Sequence, residues 1–155
     1  MFIIKIILGV SCVIICSKIA INRANLIKFK YLYFESALML CNSMLCDIEY
    51  KKSSLSKNLS LKFSSYDFTQ TVNYFIKNNQ VLTPNYLLEE EKINVNAFFN
   101  ELGKSDTNSQ KLSLNFYKNY FLKLSNEKKL EYSKTYQITL KVGFSIGVML
   151  FVLVI

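Results

Sequence analysis

Helix-breaking residues are nearly absent from the middle of this chain of 155 residues. Between residues 23 and 135, Pro84 and Gly103 are the only proline and glycine, and the apolar residues recur three or four positions apart. That spacing places side chains on one face of a helix, whereas a strand requires alternation. The pattern predicts an all-α fold, with a small helical bundle in the middle of the chain.

Both ends of the chain are apolar over lengths that suit a membrane crossing. Residues 2–21 carry only Lys5 and Lys18 as charges, and about 20 helical residues cross a hydrocarbon core of about 30 Å. The apolar stretch 142–155 reaches a similar length when it is extended back to Tyr136. The sequence predicts an N-terminal transmembrane helix at 1–22, a helical domain at 23–135 and a C-terminal transmembrane helix at 136–155.

A cleaved signal peptide is the alternative interpretation of the first apolar segment. No cleavage site of the A-x-A kind follows the segment, and the residues just before Cys16 are too bulky for a lipoprotein site. The residues before Cys12 match a lipoprotein cleavage site better, but the apolar stretch that precedes Cys12 is too short for lipidation. These features favour a membrane helix.

A net charge of +8 raises the question of nucleic-acid binding. The lysines are spread along the chain without clustered arginine or interleaved aromatic residues, so we expect no nucleic-acid partner. Basic residues instead flank the middle region, at Lys18, Arg23, Lys28 and Lys30 and at Lys134 and Lys141. By the positive-inside rule the helical domain faces the cytoplasm, with only Lys5 favouring the opposite orientation.

Apolar spacing and capping signals divide the middle region into five helices. The first helix continues to about Tyr50, and the second contains Leu55, Leu59 and Phe63. The third helix runs from about Asp67 to Asn79. The fourth helix begins at Thr83 and Pro84 and ends at Gly103, and the last begins near Asp106. The predicted inward residues are Ile93, Ala97 and Leu102 on the fourth helix and Leu112, Phe116, Tyr120 and Leu124 on the last. The run Glu89–Glu91 is interpreted as a solvated helix face or as an acidic docking patch.

The sequence offers no catalytic constellation. Because the chain contains no histidine, Ser-His and Cys-His couples are excluded. The carboxylates have capping or surface explanations, no glycine-rich phosphate loop is present, and Cys41 and Cys46 form no C-x-x-C pair. We expect no enzyme activity, no cofactor, no metal site and no small-molecule substrate.

The stretch ELGKSDTNSQ, which ends at Gln110, separates two apolar segments with a polar corner. Gly103 suits a left-handed C-cap after Leu102, and Ser105 suits the N-cap of the next helix, with Asp106 at its positive end. Gln110 lies one turn beyond Asp106, where it braces the corner or contacts a partner. Both a structural corner and a docking site remain open.

A pair of glycines lies in the last apolar segment. Gly143 and Gly147 are four residues apart, a spacing that lets two membrane helices approach closely. The sequence therefore predicts helix packing at these two glycines.

Taken together, these motifs resemble those of the stage III sporulation protein AB family of endospore-forming bacteria. The family signature Leu-Gly-x-Ser-Asp-x-x-x-Gln is matched by Leu102, Gly103, Ser105, Asp106 and Gln110. A second family match consists of Asp47, Ile48, Tyr50, Ser53, Leu55 and Leu59. The family's domain is similar to a cytoplasmic domain of the type II secretion platform protein.

The resemblance implies a non-catalytic platform or assembly subunit of a secretion-like channel between mother cell and forespore. It implies integral membrane localisation in the mother-cell membrane around the forespore, with the helical domain facing the mother-cell cytoplasm. Expected partners are the bilayer, other channel subunits and a cytosolic secretion-type ATPase that the domain couples to membrane components. The alternative is a generic two-span membrane protein that binds lipid or regulates another membrane protein.

Overall fold

The computed structural model describes residues 2–51, 58–104 and 106–154, and the regular structure in these residues is entirely helical. Its α-helices are α1 (Phe2–Cys46), α2 (Tyr66–Asn78), α3 (Glu89–Glu101) and α4 (Thr107–Val154), and a π-helical turn, Asp47–Lys51, continues α1. The prediction of an all-α helical bundle is confirmed. The predicted second helix falls partly on residues 52–57, which lie outside the described residues. Of its described part, Leu59 is helical, whereas Phe63 lies beyond the helix.

The chain divides into two compact units. We call Phe29–Glu127 the central unit, and Met1–Lys28 together with Lys128–Ile155 the terminal unit. The central unit contains α2, α3 and the adjoining parts of α1 and α4. The terminal unit contains the remaining parts of α1 and α4.

The predicted membrane spans at 1–22 and 136–155 are not found among the described helices. Within the part of the chain that the structure describes, no helix is both long enough and apolar enough to cross a membrane. Helix length alone does not make a span, since a crossing requires about 20 consecutive, predominantly apolar residues. Residues 2–22 and 136–154 are helical, but many of their side chains lie outside the described ones.

Aromatic rings form the core of the central unit. Phe121 of α4 meets Phe98 of α3 edge to face at 5.3 Å and stacks on Phe34 of α1 at 6.2 Å between ring centroids. Tyr33 of α1 meets Phe68 of α2 edge to face at 5.2 Å. Such pairs each contribute about 0.5–1.5 kcal/mol beyond the apolar area that they bury. All the α-helices of the central unit are therefore joined through one set of rings.

Within the central unit, α1 and α4 run antiparallel. Phe34 of α1 lies against Phe121 of α4, whereas Glu49, beyond the end of α1, pairs with Lys111, near the start of α4. Residue numbers thus rise along one helix as they fall along the other. The first and last helices therefore pack antiparallel in this unit.

Side-chain and backbone caps set the ends of α2. The hydroxyl of Ser65 accepts a hydrogen bond from the backbone N–H of Phe68 at 3.2 Å. At the other end Asn79 adopts a left-handed conformation, with φ of 53°, and donates its N–H to the carbonyl of Phe75. Asparagine tolerates this conformation better than most residues, so α2 ends where the sequence predicts.

The start of α3 differs from the prediction at Thr83 and Pro84. The helix begins at Glu89, where the carboxylate of Glu91 accepts the backbone N–H of Leu88 at 2.7 Å. Pro84 instead lies in a turn, its carbonyl accepting the N–H of Leu87 at 3.2 Å. Glutamate at the third helical position thus reaches back to the backbone N–H of the N-cap residue, as in one half of a capping box.

The buried face of α4 also differs from the prediction. Leu114, Tyr117 and Phe121 are buried, while Leu112 and Phe116, which were expected inside, are 74% and 61% exposed. Tyr120 and Leu124, the other two predicted inward residues, are partly buried and pack against the core. Both sets have helical spacing, so periodicity alone could not choose between them. On α3, Leu102 is buried as expected and Ala97 packs against the core, but Ile93 is exposed.

A matched pair of phenylalanines on α4 tests this core. We expect Phe121→Ala to lower the free energy of unfolding by about 3–5 kcal/mol, because it leaves a cavity among buried rings. Phe116→Ala, at an exposed site on the same helix, should change it by less than about 1 kcal/mol. Chemical denaturation followed by circular dichroism measures both. Equal losses in the two variants would contradict the observed orientation of α4.

Candidate functional site

The polar stretch from Glu101 to Gln110, which we call the helix corner, forms a tight turn between α3 and α4. Leu102 has φ of −62° and ψ of 123°, Gly103 has φ of 72°, and the N–H of Lys104 meets the carbonyl of Glu101 at 3.4 Å. These angles fit a type II β-turn, which requires positive φ at its third residue. The positive φ that this turn requires therefore explains the glycine at position 103, and the predicted left-handed conformation is observed.

Asp106 caps α4 directly. Its carboxylate accepts the backbone N–H groups of Asn108 at 3.1 Å and Ser109 at 3.3 Å. Hydrogen bonds from the side chain and backbone of Ser109 hold the pKa of Asp106 below its usual value. Ser105, predicted as the cap, lies outside the described residues. The cap observed in the described residues comes one position later than predicted.

Glu101 ties the helix corner to α4. Its two carboxylate oxygens accept hydrogen bonds from the hydroxyls of Tyr117, at 3.1 Å, and Ser113. Burial and the hydrogen bond to this carboxylate raise the pKa of Tyr117 to about 12. Sequence reasoning treated Glu101 as an ordinary surface acid. The spacing of four between Ser113 and Tyr117, which places two hydroxyls on one helix face, is the signal that could have found it.

Gln110 and the residues of the second family match are the remaining positions of the resemblance. Gln110 is partly exposed in the first turn of α4, where its backbone N–H donates to the carbonyl of Asp106 at 2.8 Å. Asp47 and Ile48 begin the π-helical turn, Ile48 packs against the core, and Leu59 is buried. Tyr50 lies in the same turn, but its side chain is outside the described ones, as are all atoms of Ser53 and Leu55. No described contact brings the second family match to the helix corner.

Gly143 and Gly147 both lie within α4, in the terminal unit. Their packing environment is outside the described part of the structure. Close helix packing at these glycines therefore stays a prediction.

A buried ion pair joins α1 to α3. Glu91 is only 4% exposed, and its carboxylate lies 3.4 Å from the ammonium of Lys30 in addition to capping α3. Glu89, by contrast, is exposed and pairs with Lys92 at 2.7 Å. The interpretation of Glu89–Glu91 as one solvated face is therefore wrong for Glu91. Removing either partner of a buried pair leaves an uncompensated charge, so this pair is part of the fold.

Two surface cavities in the central unit share Asp67. One, of about 240 Å³, is lined by Thr83 and Pro84, and the other, of about 360 Å³, by Phe29 and Leu32. The carboxylate of Asp67 accepts the hydroxyl of Tyr86 at 2.7 Å, which fixes the connection between α2 and α3. Its main interaction is thus structural.

The thiol side chains that the structure describes are those of Cys41 and Cys46. Cys41 is buried, and burial raises the pKa of its thiol to about 12, which keeps it protonated. Cys46 is exposed, while the side chains of Cys12 and Cys16 lie outside the described ones. Among the described residues, no group of three or more cysteine, aspartate or glutamate side chains is arranged to hold a metal ion.

Comparison with known proteins gives no relative for this chain. No family model matches it, and no curated protein or solved structure matches it either.

The turn at Gly103 is testable by substitution. We expect Gly103→Val to lower the free energy of unfolding by at least about 1–2 kcal/mol, since a branched side chain is strained at positive φ. Gly103→Asn should cost less, because asparagine tolerates this region. Urea denaturation of both variants makes the comparison. If valine were tolerated as well as asparagine, the positive φ would be wrong.

The raised pKa of Tyr117 predicts a loss of stability at alkaline pH. Its folded pKa of about 12 lies above its ordinary value of 10.0, so the folded state holds the phenol proton more tightly. The resulting stabilisation is fully present below pH 10 and is lost as the pH rises towards 12. We expect Tyr117→Phe to flatten this fall, measured by urea denaturation at a series of pH values. An unchanged profile in the variant would count against the hydrogen bond to Glu101.

Proposed function

We propose that the chain is a non-catalytic assembly subunit of a membrane-bound, secretion-like apparatus, of the kind found between mother cell and forespore. In this role the central unit binds a partner protein, and the ends of the chain lie in the bilayer. The observation that carries the proposal is the outward pair Leu112 and Phe116, immediately beyond the helix corner.

This pair has the features of an anchor for a protein partner. The two side chains are one helical turn apart on the outer face of α4, and both are largely exposed. Aromatic side chains are enriched at protein interfaces, where a few of them provide most of the binding energy. Gly103 and Asp106 fix the start of α4, so the pair is presented on a rigid element.

The resemblance at the helix corner supports the identity of the partner. It points to a cytosolic secretion-type ATPase and to further membrane subunits of the sporulation channel. It also supports localisation in the mother-cell membrane around the forespore, with the central unit on the cytoplasmic side. The central unit would then transmit the action of the ATPase to membrane components.

Co-purification tests this role. We expect the chain, co-expressed with the ATPase and membrane subunits, to retain at least one of them, and the double variant Leu112→Ser, Phe116→Ser to lose about tenfold or more in binding. Leu82→Ser with Ile76→Ser is the control, because these residues are also exposed in the central unit. Thermal melts by circular dichroism should match for all three proteins.

Two outcomes would contradict the proposal in different ways. Normal co-purification of the Leu112 and Phe116 variant would show that the partner binds another surface. Failure of the parent chain to retain any subunit of the apparatus would remove the assembly role itself.

A further inference from the structure

The two units of the chain carry very different charge. By sequence, the terminal unit holds 8 of the 19 basic residues but only 1 of the 11 acidic residues, a net charge of +7. The central unit, with 11 basic and 10 acidic residues, has a net charge of +1. Nearly all of the net positive charge of the molecule therefore belongs to the terminal unit.

Several cations of the terminal unit are exposed, while Lys128 pairs with Glu131 at 2.9 Å. Lys18, Arg23 and Lys28 are exposed on α1, and Lys134 and Lys141 are exposed on α4. Residues 1–28 contain no acidic residue at all. The exposed cations of the terminal unit repel one another unless anions from outside the chain neutralise them.

The same unit exposes large apolar side chains in several directions. On α4, Phe144 and Ile146 are 63% and 48% exposed, although they are separated by about 200° around the helix axis. On α1, Ile14 and Ile15 are both more than half exposed, about 100° apart. A single protein partner covers one face of a helix, whereas side chains exposed on opposite faces require an apolar solvent.

We propose that the terminal unit binds an anionic phospholipid bilayer, with its apolar side chains among the acyl chains and its lysine and arginine residues against the lipid phosphates. Acyl chains can surround a helix, so they cover side chains that point in opposite directions. Lipid phosphates supply the negative charge that the unit lacks, each nearby cation contributing about one kcal/mol at the membrane surface. Nucleic acid would neutralise the charge but leave Phe144 and Ile146 in water.

This inference deepens the membrane contact of the proposed function by specifying the lipid. It does not depend on the partner protein. Vesicle binding is measured with the chain alone, so failure of the assembly role and failure of lipid recognition give separate results.

The test is flotation of the full chain with vesicles of phosphatidylcholine alone or of phosphatidylcholine with phosphatidylglycerol. We expect stronger binding to the anionic vesicles, weakened as salt rises from about 0.05 M to 0.5 M, because salt screens the phosphates. The triple variant Lys18→Gln, Arg23→Gln, Lys28→Gln should bind anionic vesicles roughly 100-fold more weakly than the parent chain. Its binding to neutral vesicles should stay as in the parent.

The matched control is Lys62→Gln, Lys77→Gln, Lys104→Gln, which removes the same charge from exposed sites in the central unit. It should bind both vesicle types as the parent does, and circular dichroism should give the same helix content for both triple variants. The inference is overturned if neutral and anionic vesicles bind the parent equally. It is also overturned if the control weakens binding as much, or if a DNA duplex displaces the chain from anionic vesicles.

Discussion

Contacts between aromatic rings hold the central unit together. Tyr33 and Phe34 of α1, Phe68 of α2, Phe98 and Phe99 of α3 and Phe121 of α4 are all buried and form one connected set of ring contacts. Edge-to-face pairs are directional, so each ring restricts the rotation of the helix that carries it as well as its distance from the next. The orientation of α4 follows from this restriction. With Phe121 between Phe34 and Phe98, Leu112 and Phe116 on the same helix must point outward.

Hydrogen bonds then fix the helix ends around this core. The hydroxyl of Tyr33 bonds to that of Thr71 at 3.2 Å, which joins α1 to α2 inside the apolar region. Ser36 accepts the backbone N–H of Ser65 at 3.0 Å, so the residue that caps α2 is itself held by α1. Glu91 likewise caps α3 while facing a lysine of α1. Because a buried polar group without a partner costs about 1–3 kcal/mol, these bonds determine where α2 and α3 can begin once the rings are packed.

The sequence predicts the helices more reliably than the faces that they bury. Scarcity of proline and glycine was sufficient for the all-α fold, and Gly103 was correctly interpreted because positive φ leaves few alternatives. The start of α3 was misplaced because Thr83 and Pro84 give a strong local signal, which the long-range position of Glu91 overrides. The face of α4 was misassigned at Leu112 and Phe116 but not at Tyr120 and Leu124, since apolar residues occur on both sides of that helix and only the positions of Phe34 and Phe98 distinguish them. The role of Glu101 likewise depends on a neighbour twelve or more residues away.

The two units handle apolar surface and charge in opposite ways. The central unit buries its rings and pairs its acids with its bases, as between Lys111 and Glu49 across α1 and α4. Its charges are thus largely balanced within the unit. The terminal unit exposes apolar side chains such as Phe144 and Met149, and its basic residues greatly outnumber its single acid. Glu131 pairs with Lys128 at 2.9 Å, so the one acid of the unit offsets one of its eight cations and a net charge of +7 remains. The terminal unit therefore carries a net charge that its own acid does not balance, whereas the central unit is held together by the rings that it encloses.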